Sequence, residues 1–418
     1  MLKCLAAFMN FCYLVRRNAI TSDTLREIEN TLAQFHHHRE IFIQTGVRKD
    51  ISLPCQHALK HYPRGICLFG SPNGLCSSMT ESKHIKAVKE PWRRSGRFNA
   101  LSQMLRTNSR LDKMSYARMA FTERGMMTGS TSSYTAMILR GEQPAVPVAV
   151  PVAADLEDDM GPTTGPKVLS SIQLASTPRR YFFSSRNHLL IFISTERNYP
   201  HTLETISAHI QQPSLPELLR RFLYDQVHPN SLVSSDDVAL DDCPHFNGRI
   251  SVFHSAVARF YAPSDLCGAG GMYQERIHST PIWRGAAPRY DTVFVDIDPE
   301  LPGMRGMTVG RVFLFFSFTF RDVHYPCALV HWYPTVGTEP DEYTGLWVVK
   351  PRYETNRRRS LAVIHLDCIA RGAHLIGVYG SSFLPEEFHF TYSLDSFRAY
   401  FVNCFADHHT HEFLTGTT

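Results

Sequence analysis

In TSDTLREIENTLAQFHHHREIF, apolar residues recur at Leu25, Ile28, Leu32 and Phe35, the three-then-four spacing of one helix face. Thr24 and Glu27 have capping-box spacing, and Thr21 and Ser22 are further candidate caps. Ahead of them, Leu2 to Val15 is apolar enough to be a core helix. A further helix is expected from His57 to Phe69, ended by the turn residues GSPNG (70–74). Another begins near Thr80 and is interrupted at Pro91, and a fourth covers Asn99 to Arg124. Residues 1–125 therefore read as helical.

The pattern then changes. Residues 126–178 alternate proline with small apolar residues and turn acidic, as in PAVPVAVPVAADLEDDMGPTTGP. Such a stretch buries too little apolar surface to offset its ordering entropy, so a disordered linker is expected. From 179 to 418 the chain reads as a mixed domain. YFFSSRNHLLIFIS suggests strands, and LETISAHI and LPELLRRFLYDQ suggest short amphipathic helices. RYDTVFVDI, GRVFLFFSFTF, YPCALVHWY, TGLWVVK and LAVIHLDCI are β-rich runs separated by turn residues. A meander of this kind suggests a small antiparallel β-barrel over about residues 288–380. SLDSFRAYFVNCF reads as a terminal helix. The fold class is α+β.

Composition adds an asymmetry. The 418 residues carry a net charge of +4. Met79 to Arg124 holds eleven lysines and arginines against four acids, a local +7, which leaves −3 for the rest. That points to a local face for a polyanion. No apolar run approaches the roughly 18 residues of a membrane span, so no membrane partner is expected. MLKCLAAFMNFCYLVRR lacks a small-residue cleavage site and reads as a core helix rather than a targeting segment. Ten cysteines without a CxxC pair suggest reduced, mostly buried thiols in an intracellular protein.

The basic surplus is densest in MTESKHIKAVKEPWRRSGRF. Glu81 stands at the head of Lys83, Lys86, Lys89, Arg93, Arg94 and Arg97. On a helix, Glu81, His84, Ile85 and Val88 share a face, and the three lysines form a neighbouring stripe. An acid near a helix N-terminus is ordinary. A carboxylate beside a phosphate-binding track is also what phosphoryl transfer to DNA requires, with Mg²⁺ on the acid. One acid cannot hold two metals.

The stretch from LPCQHALKHYPRGICLFG to LRTNSRLDKM resembles the C-terminal part of the catalytic region of fungal Plavaka-type transposases, in the Kyakuja-Dileera-Zisupton group of DDE enzymes. Downstream, ARFYAPSDLCGAGGMYQERI, STPIWRGAAPRYDTVFV, DEYTGLWVV and VIHLDCIARGAHLIGVYG resemble the tail of those proteins. The resemblance covers most of the chain outside the linker. It implies a ribonuclease H-like core whose catalytic acids are two aspartates and a later glutamate in a pattern S/T-E, two residues, H-I. Thr80-Glu81-Ser82-Lys83-His84-Ile85 fits that pattern, so the family glutamate maps onto Glu81, as a catalytic and Mg²⁺-binding position. Both family aspartates lie upstream of this region, and the helical N-terminal part then reads as a remnant of that core. The resemblance implies Mg²⁺ for the intact family enzyme and no cofactor for this chain alone. It also implies a nuclear location and double-stranded DNA as partner, with a full-length homologous transposase as a second partner.

Other constellations are weaker. His57 and His61 are four apart, a spacing metals use, with Cys55, Cys67, Cys76 or His84 available as further ligands. No CxxC anchors such a site, so packing roles are expected. His36, His37 and His38 point in different directions on a helix, and DHHTHEF reads as a terminal tail. Arg357, Arg358 and Arg359 suggest an exposed hairpin tip. Trp332, Tyr333 and Trp347 are candidates for an aromatic cage, or for core. Asp291, Asp296, Asp298 and Asp367 fall in a different domain from Glu81 and are not expected to be catalytic.

The expected function is a transposase-derived DNA-binding protein, not an enzyme by itself and without a small-molecule substrate. Two alternatives stand beside it. One is a subunit of an active transposase completed by acids from another chain. The other is a protein or chromatin interaction module built on the barrel.

Overall fold

The computed structural model describes residues 1–75, 84–124, 160–162, 170–174, 199–229, 233–265, 271–283, 287–381 and 383–416. The chain forms two compact units, one from Met1–Asn73 with Glu157–Thr418 and one from Gly74–Leu156. The helical region expected over residues 1–125 is thus divided after residue 73, and its first part belongs with the C-terminal residues.

In the larger unit, helix α1 is Leu2–Val15 and α2 is Ser22–His38. Cys4, Ala7, Phe11 and Leu14 are buried along α1, and Ile28, Leu32 and Phe35 along α2, so each helix turns one apolar stripe to the other. Of the candidate caps the structure uses Thr21, whose hydroxyl accepts the Thr24 N–H at 3.2 Å. The helix expected over 57–69 is broken into a short turn Pro54–Ala58, a 3-10 turn Leu59–His61 and α3, Tyr62–Phe69. Pro63 sits in the first turn of α3, where a missing N–H costs least. Ile66 of α3 closes the cluster formed with α1 and α2.

In the smaller unit a π-helical turn, Ile85–Lys89, runs directly into a helical turn, Glu90–Arg94, and α4 is Ala100–Glu123. The expected interruption at Pro91 is a widening rather than a break. Pro91 has no N–H for the carbonyl of Ala87, four residues earlier, and its ring crowds that carbonyl. The π turn relaxes the crowding. The missing donor comes from α4 instead, where the Asn108 amide donates to the Ala87 carbonyl at 2.8 Å.

The other elements belong to the larger unit. Helices α5 (Leu203–His209) and α6 (Leu215–Val227) match the two amphipathic segments, and α7 is His408–Thr415. The strands are β1 Met160–Pro162, β2 Ser170–Leu174, β3 Ile250–Phe253, β4 Ser255–Tyr261, β5 Met272–Thr280, β6 Arg289–Tyr290, β7 Thr292–Asp296, β8 Met307–Phe320, β9 Val323–Tyr333, β10 Val348–Val349, β11 Leu361–His365, β12 Ile369–Ala373, β13 Leu375–Gly377 and β14 Tyr400–Val402. All pairings are antiparallel. One sheet runs β11-β9-β8-β7-β12, with β3 also on β8. A second runs β1-β5-β4-β2, with β6 on β5, and a third runs β10-β14-β13.

The expected barrel is not there: among the described residues β11 and β12 are opposite edges of an open sheet. The reason lies in β8 and β9. Eleven of the 14 residues of β8 are buried, on both faces. A barrel needs one inner face, whereas a strand apolar on both faces needs cover on each. Cys327 and Leu329 of β9 pack toward α5 and α6, with Leu219, Phe222 and Phe316. Ala328 and Val330 face the other way, onto Ala256, Ala258 and Phe260 of β4. Beyond Leu329, Tyr333 joins Tyr400 and Val402 of the small sheet. The central sheet is therefore sandwiched between helices plus the three-stranded sheet on one face and the second sheet on the other.

Three further expectations change. Residues 160–162 and 170–174, inside the expected linker, are strands on β5 and β4, and the rest of 126–178 lies outside the described residues, as does YFFSSRNHLLIFIS. SLDSFRAYFVNCF contributes a four-residue turn and then β14, not a helix. Of the eight described cysteines, Cys55, Cys67 and Cys368 are exposed. Among the described residues no helix is long and apolar enough to cross a membrane.

Candidate functional site

The basic segment forms a helical hairpin. Lys89, Arg93 and Arg94 are exposed on its short arm, where Pro91 is the buried residue, and α4 is the long arm. The turn between them is held locally. Ser95 Oγ donates to the Trp92 carbonyl at 2.8 Å, and the Gln103 amide accepts from Gly96 N–H and donates to the Phe98 carbonyl. Arg97 and Asn99 sit in this turn at φ +58° and +47°, and Arg97 is exposed. Among the described residues, no carboxylate pairs with Lys89, Arg93, Arg94 or Arg97. Cations held apart from acids on a solvated surface are what a phosphate backbone meets most readily. Glu81 and Lys83 lie outside the described residues, and Lys86 is placed on the π turn by its backbone.

The other sequence candidates are dispersed. His57 and His61 stack edge-on at 5.2 Å, and among the described residues no group of three or more His, Cys, Asp or Glu is arranged to hold a metal. Trp332 and Tyr333 emerge on opposite faces of β9, in different clusters, so they cannot share a cage with Trp347. Arg357 and Arg358 occupy an exposed hairpin tip, closed by Glu354 N–H to the Arg358 carbonyl and Arg357 N–H to the Glu354 carbonyl. Asp291 is tied up by His278 and Arg289.

Sequence reasoning missed a buried polar cluster around Arg371 and α7. DHHTHEF is not a tail but the start of α7, with His409 and His411 buried. Asp407 caps it, accepting the Thr410 N–H at 2.6 Å, and Asp265 accepts the His408 and His409 N–H groups at 3.1 and 2.9 Å. Arg371 of β12 is 2% exposed and lies over the Phe260 ring. Its Nη1 meets Asp407 Oδ1 at 3.0 Å and His409 Nδ1 at 2.8 Å, and its Nη2 meets Asp407 Oδ2 at 2.7 Å and Glu275 Oε2 at 3.2 Å. Glu275 also accepts the Gly372 N–H. Burial pushes the Glu275 carboxyl up, against the pull of Arg371. Burial also raises Asp407, but Arg371 and Thr410 more than reverse this and hold it below the usual carboxylate range. Burial drives His409 and His411 down to about 3, with Arg371 and Arg17 adding to it respectively. His409 is thus neutral and accepts from Arg371 through Nδ1.

Arg371 lines two clefts, of about 870 and 610 Å³. Four of its five N–H donors are already committed to protein acceptors, so the cluster locks α7 to the sheets rather than offering a free charge. The sequence did hold a signal for α7: Asp407 three before Thr410, and Gly416 just past the end, with φ +72°.

No protein-family model matches this chain, no curated protein matches it, and no solved structure matches it.

Proposed function

We propose that this chain is a transposase-derived DNA-binding protein that acts in the nucleus through its basic hairpin and does not cut DNA by itself. The observation that supports this is the set of Lys89, Arg93, Arg94 and Arg97, exposed within nine residues and unpaired with acids among the described residues. The resemblance of Thr80–Ile85 to the family's glutamate motif adds a direction: the cations lie next to a position that would face DNA. Only one acid of the family set, Glu81, maps onto the chain. In the intact family enzyme Mg²⁺ supplies Lewis-acid chemistry on the phosphate, and a lone carboxylate does not support a two-metal reaction.

The test is duplex-DNA binding by the full chain between 50 and 300 mM salt. Each phosphate neutralised adds about 0.9 to the slope of log K against log salt. We expect a slope magnitude of about 3 to 6, reduced by about 2.7 in Lys89/Arg93/Arg94→Gln. An unchanged slope, or no binding, overturns the reading. Mg²⁺-dependent cleavage by the chain alone, lost in Glu81→Gln, would show it to be an enzyme.

A further inference from the structure

The short arm accounts for only part of the local charge. On α4, Arg106, Arg110 and Lys113 are spaced four and three apart and are all exposed. At 3.6 residues per turn they fall within about 60° of one another around the helix. Arg124 extends the row, its N–H still bonded to the Ala120 carbonyl at 3.3 Å. The acids of α4, Asp112 and Glu123, occupy positions at least about 80° away. Arg106, Arg110 and Lys113 have no ion pair or side-chain hydrogen bond among the described residues. Like charges at i and i+4 destabilise a helix. A helix arranged only for solvation would intersperse the signs.

Position then matters. Asn108 turns toward the short arm, through its bond to the Ala87 carbonyl. The Arg106–Arg110–Lys113 row lies on nearly the opposite side of α4, about 160° away. The hairpin therefore carries cations on two outer flanks: Lys89, Arg93 and Arg94 on one arm, and the α4 row on the other. One flat line of phosphates cannot meet both. The two strands that border a groove can, since two packed helices, each about 10–12 Å across, span a major groove about 12 Å wide from one bordering strand to the other.

We infer that α4 supplies a second phosphate-binding track, Arg106, Arg110 and Lys113, and that the hairpin bridges a groove of double-stranded nucleic acid with one track against each strand. This rests on the DNA-binding reading above and specifies its geometry.

The experiment compares the full chain with Arg106/Arg110/Lys113→Gln, with Lys89/Arg93/Arg94→Gln and with both together, on a duplex and on one of its strands. With both tracks engaged the parental slope should lie near the upper end of the range of about 3 to 6; on the duplex each triple variant should lower its magnitude by about 2.7, and the combination by about twice that. On the single strand the two sets should not add, because one backbone engages one track at a time. If only the short-arm variant changes the duplex slope, the α4 row is a solvated face and this inference fails, while the DNA-binding reading stands. If neither variant matters, or the chain does not bind, that reading itself fails. If the α4 variant leaves the duplex slope intact but releases the chain from phosphatidylserine vesicles, the row belongs to an anionic membrane surface and the inference is overturned. The charge-conserving Arg106/Arg110→Lys, Lys113→Arg variant should keep the parental slope. Should the glutamine variant fail to fold, a loss of slope in this conservative variant would overturn the inference.

Discussion

Single residues decide how α7 is held, and histidine is the telling one. His409 and His411 are buried and neutral, with folded pKa values near 3 against about 6.5 in an unfolded chain. A lowered folded value means that the unfolded chain binds more protons between those limits. Stability is therefore complete above about pH 6.5 and is lost as pH falls toward 3, by about 1.4 kcal/mol per pH unit for each histidine. Glu275 and Glu412, pushed up by burial, oppose this where they titrate. The difference between variants isolates the histidine: His411→Phe should reduce proton uptake on unfolding by about one between pH 4 and 6, measured by urea melts at each pH. An unchanged pH slope would place the charge of His411 elsewhere. None of this was legible in DHHTHEF. A histidine in a polar run looks solvated, and only the burial of its helix against α1 and β4 makes it neutral. The basic residues were easier to read, because cations need no partner in the fold to stay exposed.

At the scale of elements, helices were the more legible. α2, α5 and α6 follow their apolar spacing closely, because a stripe of period 3.6 is a local property, and α1 and α4 match the expected bounds. β3, β4 and β5 went unnoticed. MYQERIHST carries Glu275 and His278 into a buried strand, where Arg371 and the Gly372 N–H of β12, and Asp291 beside β7, make that tolerable. Neither could the pattern separate a barrel from a sandwich, since both use the same short apolar runs. The difference lies in whether both faces are apolar, as on β8. The hairpin offers an element-scale test. Asn108→Ala should leave the Ala87 carbonyl without its donor and cost about 0.5–1.5 kcal/mol, seen as faster amide exchange over residues 84–94. In a Pro91→Ala background the restored N–H supplies that donor, so the same change should cost markedly less. Equal costs in the two backgrounds would show that Pro91 is not what orphans the carbonyl.

For the whole molecule, the unexpected feature is that residues 1–73 belong with residues 157–418. The contacts are specific. Tyr13 donates to the Phe405 carbonyl at 2.7 Å, Asn18 N–H donates to Ser264 Oγ at 2.9 Å, and Tyr13 packs on His408 and His411. Sequence spacing carries no information about such pairing, because it joins residues hundreds of positions apart. Expressed as separate chains, 1–73 and 157–418 should therefore associate one to one, seen as co-elution in size exclusion, and Tyr13→Ala should weaken that complex. Independent elution of the two would mean that this contact surface is too weak to hold without the covalent connection.

The same pairing has a consequence in time. Tyr13 and Phe405 are separated by 392 positions. At about 5–20 residues per second, a ribosome needs roughly 20 to 80 s between them. Throughout that interval the side of α1 that will meet α7 has nothing to meet. The nascent chain waits with Tyr13 and the guanidinium of Arg17, both buried or half-buried in the fold, uncovered until α7 emerges.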